Sequence, residues 1–230
     1  MGLFDKFRHP AKPQNIIEDY ELANVIHRKV NEHLWLHPYD EERLINLGEL
    51  DAQLLTVGTN DAESKEFLPG LSISKESLHK RVVSVELGIG ISYLIALDKM
   101  PIGMIELTLP KRNKIQNNMT VWSLDFFIVN YLRDKGVMSS CFPAFMKLMV
   151  QNIGIKEVYA WVHEDNLKSI SVLEKFFFRV VDTIPLHDST KRPIISPHYM
   201  AWKCPLQELV FADGQIRCPS YWADRPTLVY

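Results

Sequence analysis

The stretch Asn130-Tyr131-Leu132-Arg133-Asp134-Lys135-Gly136-Val137-Met138-Ser139 decides how this chain is read. It follows the apolar, β-prone run 121–129. It precedes Met138, Cys141, Phe142, Phe145, Leu148 and Met149, an apolar stripe at helical spacing. A strand that ends in a tight turn and opens a helix leaves backbone N–H groups without partners, beside the positive end of the helix dipole. Such a junction is a cradle for phosphate. A second helix start follows at Val162-His163-Glu164-Asp165-Asn166-Leu167-Lys168-Ser169, after the strand-like run 158–162. Strand, helix and strand make a βαβ unit, so 121–129 and 158–162 are expected to run parallel, joined by a right-handed crossover.

Upstream of this unit, 91–97 and 102–109 are β-prone runs joined by the turn Asp98-Lys99-Met100-Pro101. His33-Leu34-Trp35-Leu36-His37 reads as a short strand stopped by Pro38. Asp40 is placed to cap a helix reaching about Leu55. Ser74 or Ser77 starts another, with Leu78, Val82 and Val85 on one face, and 56–74 and 110–120 read as loops. Downstream, Ile170, Leu173, Phe176 and Phe177 mark a helix, and 179–184 and 199–204 are strand candidates. The expected class is therefore α/β (α+β): a mixed, mostly antiparallel sheet with a parallel pair at its centre, flanked by helices. Three regions are expected. Residues 1–30 form an extension whose Ile16, Ile17, Tyr20, Ala23, Ile26 and Val30 repeat at helical spacing. Residues 31–205 form the main domain, and 206–230 a tail packed on the domain or a partner.

With 47% apolar and 23% charged residues, a chain of 230 residues can bury a substantial core. A net charge of −2 gives no electrostatic reason to expect nucleic acid or an anionic membrane as partner. The apolar run 87–97 falls well short of the ~20 residues that span a bilayer. No apolar signal segment opens the chain, and Lys6 occupies the place where a lipidation signal wants Ser or Thr. Cys141, Cys204 and Cys218 are scattered without metal-ligand spacing, which reads as reduced thiols, a cytoplasmic setting and no metal.

In this setting the chain resembles the GNAT family of acyl-CoA-dependent N-acetyltransferases. That family carries Arg or Gln, two residues, Gly, one residue, then Gly or Ala at a strand-to-helix turn, and Arg133, Gly136 and Met138 hold those places. The segment Asn166 to Phe178 and the segment Leu34 to Glu42 are similar to the branch that acetylates the N-termini of ribosomal proteins. The likeness spans roughly residues 33–204. Met138 in place of a small residue, Phe177 in place of Gly, Asp134 beside the turn and Pro143 inside the helix depart from the pattern.

The resemblance implies a fold in which the two parallel strands splay, with acetyl-CoA as co-substrate and an amine as acceptor. The pantetheine arm would pair with the main chain of Phe126, Phe127 and Ile128, like an added strand. N–H groups of Arg133, Asp134, Lys135, Gly136, Val137, Met138 and Ser139 would hold the diphosphate. Asn166 would meet the pantetheine, or serve as a plain helix cap, or both. An ammonium of pKa about 10 must lose a proton before it attacks. The resemblance offers Asp188 as base by ungapped counting, with Asp125, Glu106 and His163 as rivals. Many members donate a proton to the leaving thiolate from a Tyr further along the second helix. Leu173 stands there, and Ser169 is the replacement, as in the branch resembled.

Two other functions compete with the transferase reading. One is a binding module that keeps the acyl-CoA fold without turnover, favoured by Met138, Pro143 and the missing Tyr. The other is transfer of a longer acyl chain, against which the bulky Phe126, Phe127 and Met138 argue. Acceptor identity and oligomeric state are not legible in the sequence.

Overall fold

Strand β2 (Leu34–Pro38) alternates buried and half-buried residues and stops at Pro38. Asp40 then caps α1 (Glu41–Gly58), its carboxylate accepting the Arg43 N–H at 2.8 Å. Glu41 and Glu42 occupy the first turn, where the dipole favours negative charge. Past Leu55 the helix continues to Gly58, and part of the expected loop 56–74 is a further helix, α2 (Ala62–Phe67). Its cap, Asp61, accepts both the N–H and the hydroxyl of Ser64. α3 (Lys75–Glu86) starts at Ser74, which exchanges reciprocal bonds with Ser77, and Leu78, Val82 and Val85 form its buried face.

This is a computed structural model, and it describes residues 28–68, 71, 73–108, 122–185, 198–212 and 215–223. Strands β3 (Gly90–Leu97) and β4 (Met100–Thr108) form the expected hairpin. β5 (Trp122–Ile128) pairs antiparallel with β4 and leads through the turn at 130–136 into α4 (Val137–Leu148). β6 (Val158–His163), α5 (Leu167–Lys175), β7 (Arg179–Pro185) and β8 (His198–Cys204) follow. With β1 (Arg28–Lys29) at one edge, the sheet order is β1-β2-β3-β4-β5-β6-β8-β7. Among its ladders, only β5–β6 is parallel, so the mostly antiparallel sheet with a central parallel pair is observed.

One terminal reading needs adjustment. The helical pattern running to Val30 fails at its end, because Arg28 and Lys29 pair with Leu36 and Trp35 as strand β1. An open sheet edge offers backbone partners that side-chain spacing does not reveal. The remainder of that pattern lies outside the described residues. After β8, Leu206 and Leu209 are buried in the core and the Gln207 N–H donates to the Lys156 carbonyl at 2.9 Å. β9 (Val210–Ala212) and β10 (Gln215–Arg217) then form a small separate hairpin, before the short helix α6 (Ser220–Ala223). No helix among the described residues is long and apolar enough to cross a membrane.

The stripe of α4 packs on the sheet with Met138, Cys141, Phe142, Phe145 and Leu148 buried. Burial pushes the Cys141 thiol up to about 12, so it serves as an apolar filler. Pro143 lies inside α4, which continues past it and closes in a wide turn at Met149–Ile153. Phe142 is fully buried: it stacks on Phe176 at 5.0 Å and meets the edges of Phe126 at 5.4 Å and Phe178 at 6.2 Å. This ring joins α4 to β5 and to the end of α5. Phe142→Ala is therefore expected to cost about 3–5 kcal/mol, read as a lower urea midpoint with an unchanged m-value.

Candidate active site

β5 and β6 share only two registered pairs, Trp122↔Val158 and Ser123↔Tyr159, and then part. Beyond them β6 keeps pairing with β8 as far as His163↔Tyr199, while β5 stays on β4. On β5 the Val129 N–H donates to the Ile102 carbonyl at 2.9 Å. Antiparallel ladders alternate, so Phe127 and Asp125 also turn their amides toward β4, and Phe126 and Ile128 turn theirs toward the gap. Close approach at this point requires Gly103, where a Cβ would collide with the Phe127 carbonyl oxygen.

The gap opens into a cavity of about 500 Å³ lined by Phe126, Phe127, Ile128, the turn before α4 and the first residues of α5. Gly136 caps α4 with φ +73, a conformation that favours glycine, and a Cβ there would meet nothing within 4 Å. Among the described residues, no side chain caps α4. The N–H groups of Val137, Met138 and Ser139 therefore lack helical partners, and all three residues line the cavity. The Arg133 N–H departs from expectation: it donates to the Asn130 carbonyl at 3.2 Å and is spent.

Arg133's side chain turns toward α2. Its Nη1 lies 2.9 Å from Asp61, its Nη2 bonds the Ser64 hydroxyl, and its Nε donates to the Ile128 carbonyl at 3.1 Å. Burial works against the Asp61 carboxylate, yet the Arg133 guanidinium and the Ser64 donors hold its pKa down at about 2. Asp134, with φ +60, pairs with Lys168, and Lys135 is exposed beside it. α2 and Lys168 thus belong to the wall of the first cavity, a place that the sequence alone does not reveal. The signal for α2 was Asp61-Ala62-Glu63, a capping residue with an acid in the first turn.

A second cavity, of about 760 Å³, meets the first. Phe67, Leu68, Phe126, Phe127, Asn166 and Ser169 line both. Ser92, Glu106 and Asp125 form a cross-strand row on β3, β4 and β5 that faces this second space. The Glu106 Oε1 accepts from Arg81 Nε at 2.7 Å and from the Ser92 hydroxyl at 2.9 Å, so this rival base is tied down. Asp125 is exposed to the cavity, yet its walls crowd the carboxyl. That desolvation, then the nearby Glu106 charge, pushes its pKa up to about 6 against the opposing pull of Arg81.

His163 also faces this cavity, its Nδ1 in contact with the Asp165 N–H at 3.1 Å. Asn166 caps α5 by accepting the Ser169 N–H at 3.2 Å, and both residues stand at the junction of the cavities. Leu173 is fully buried in the core. Asp188 lies outside the described residues. At the far end of α5 the Phe178 N–H reaches back to Leu173 and the Phe177 N–H to Glu174, with Phe177 at φ +65 where glycine is usual.

Comparison with curated proteins finds no match by sequence. Solved structures do share the fold. The ribosomal L7/L12 alpha-N-protein acetyltransferase RimL, in complex with coenzyme A, superposes with a TM-score of 0.56 at 15% identity, covering 79% of this chain and 99% of its own. The ribosomal-protein-S5-alanine acetyltransferase from Vibrio fischeri gives 0.61 at 12% identity, covering 80% and 98%. The microcin C7 self-immunity acetyltransferase, in complex with acetyl-CoA and AMP, gives 0.55 at 14% identity, covering 77% and 94%. The family model "Acetyltransferase (GNAT) domain" matches residues 43–179, more than half of the sequence, and it takes in α1 to the start of β7. The chain belongs to the GNAT acetyltransferase family.

Proposed function

We propose that this protein transfers an acetyl group from acetyl-CoA to a primary amine, on a protein N-terminus or a small molecule, by direct attack of the amine. The observation that carries the reading is the parting of β5 and β6 over a cavity that ends at an uncapped helix N-terminus. The neighbours solved with coenzyme A and with acetyl-CoA share this fold, which supports the same co-substrate here.

The residues present fit such a molecule. Gap-facing amides at Phe126 and Ile128 suit a pantetheine arm laid beside β5 as an added strand. The N–H groups of Val137, Met138 and Ser139 suit a diphosphate, and Asn166 lies at the arm's end. Where the two cavities meet, the bound thioester supplies the acyl carbon. The Ile128 N–H is positioned along the gap to donate to negative charge developing on the carbonyl oxygen.

Asp125 takes the proton of the incoming ammonium. A carboxyl near pKa 6 is largely ionised at neutral pH yet basic enough to accept a proton, directly or through water. As the new C–N bond forms and the C–S bond breaks, Ser169 gives its hydroxyl proton to the departing sulfur. It regains one from the attacking nitrogen, which loses this second proton to become the amide; the Ser169 N–H is held by Asn166. Asp188 remains the rival base.

Release of free thiol from acetyl-CoA, measured with N-terminal peptides and with small amines, tests the reaction. No release with either class, together with a thermal shift on coenzyme A, would favour a binding module. Asp125 must be ionised to act, so kcat/KM should rise with unit slope as pH increases through about 6, then level. Asp125→Asn should lower kcat by about 10²–10⁴ and remove that limb; if Asp188→Asn does so instead, Asp188 is the base. Ser169→Ala should lower kcat by about 10²-fold with little change in the KM for acetyl-CoA.

A further inference from the structure

One side chain straps three walls of the cofactor cavity together. Lys168, in the first turn of α5, places its Nζ 3.0 Å from the Glu63 carboxylate on α2 and 3.1 Å from the Asp134 carboxylate in the turn before α4. All three residues line the cavity. The first turn of a helix is a poor place for a cation, because the dipole repels it there. Helix stability therefore does not explain a lysine at this position.

Its partners are just as telling. Asp134 and Glu63 line the cavity beside the N-terminus of α4, where they would repel an anion, and Arg133 is already engaged by Asp61, Ser64, the Ile128 carbonyl and, at 3.5 Å, Glu63 itself. Lys168 is different, being 49% exposed with Asp134 65% exposed. Ion pairs this open are weak and screened by salt, so they exchange partners readily. A phosphate offers an ammonium more charge and more acceptor oxygens than a carboxylate does.

We propose that Lys168 is a phosphate-binding residue that changes partners: it leaves the carboxylates of Asp134 and Glu63 for the diphosphate of an incoming acyl-CoA seated at Val137–Ser139. Asp134 competes with the ligand for this cation and so sets a ceiling on affinity. The inference rests on the acyl-CoA reading above.

The test is the dissociation constant of CoA and of S-acetylpantetheine, which lacks phosphates, for the intact protein and for Lys168→Met, Lys168→Arg and Asp134→Asn. At low salt, Lys168→Met should weaken CoA binding about tenfold and leave S-acetylpantetheine unchanged, and Lys168→Arg should retain most of the affinity. Asp134→Asn should tighten CoA binding several-fold at low salt, with the gain shrinking as salt rises. An unchanged melting temperature for each unliganded variant shows that the fold is intact. CoA binding by Lys168→Met equal to that of the intact protein, an equal loss for both ligands, or weaker CoA binding by Asp134→Asn would overturn the partner change alone. Failure of the intact protein to bind CoA would overturn the acyl-CoA reading as well.

Discussion

The β5–β6 ladder breaks off after two pairs, and the rest of the site depends on that break. A continuous ladder would satisfy the amides of Phe126 and Ile128 within the sheet and leave nothing for an extended ligand to bond. Parting the strands in mid-sheet exposes polar backbone, which is costly inside a protein unless water or a ligand reaches it. Both cavities reach it here. Phe142 of α4 ties Phe126 of β5 to Phe176 and Phe178 at the end of α5.

Charge is distributed around this opening in two tiers. Arg133, Asp61 and Ser64 form a half-buried knot that pins α2 against the end of β5, with bonds good enough to hold Asp61 ionised far into acid. Lys168 and Asp134 form the outer, solvent-washed tier. Facing the second cavity, Glu106 is locked to Arg81 while its cross-strand neighbour Asp125 is left crowded and basic. Among the described residues, the Glu106 carboxylate has a cation within bonding distance and the Asp125 carboxylate on the adjacent strand does not.

Much of this was legible in residue patterning. Helical spacing and cap residues located α1, α3, α4 and α5, and runs of apolar, β-prone residues bounded by turns located β2 to β8. The turn at Gly136 was legible because a left-handed cap needs glycine. What stayed hidden depends on contacts between distant segments. Arg133 sits in the right motif, but only its reach to Asp61 and Ser64 shows that its side chain serves α2. α2 itself is too short for a period. The raised basicity of Asp125 comes first from the cavity walls that crowd its carboxyl and then from the Glu106 charge on β4, against the pull of Arg81 on α3, and no local pattern records these. Phe177 hides a left-handed backbone behind an aromatic side chain, so the helix stop that Gly would have announced goes unsignalled.

The strand order also governs how the chain can assemble as it is made. β7 leaves the ribosome before β8, yet its partner in the sheet is β8, which slots between β6 and β7. Until Cys204 has emerged, β6 and β7 each present an unpaired edge to the cell. The first five strands, all sequential neighbours, can already be zipped together by then. The nascent protein is thus a finished half-sheet carrying an unfinished one, and the late-arriving β8 is the piece whose delay would expose it to wrong pairing.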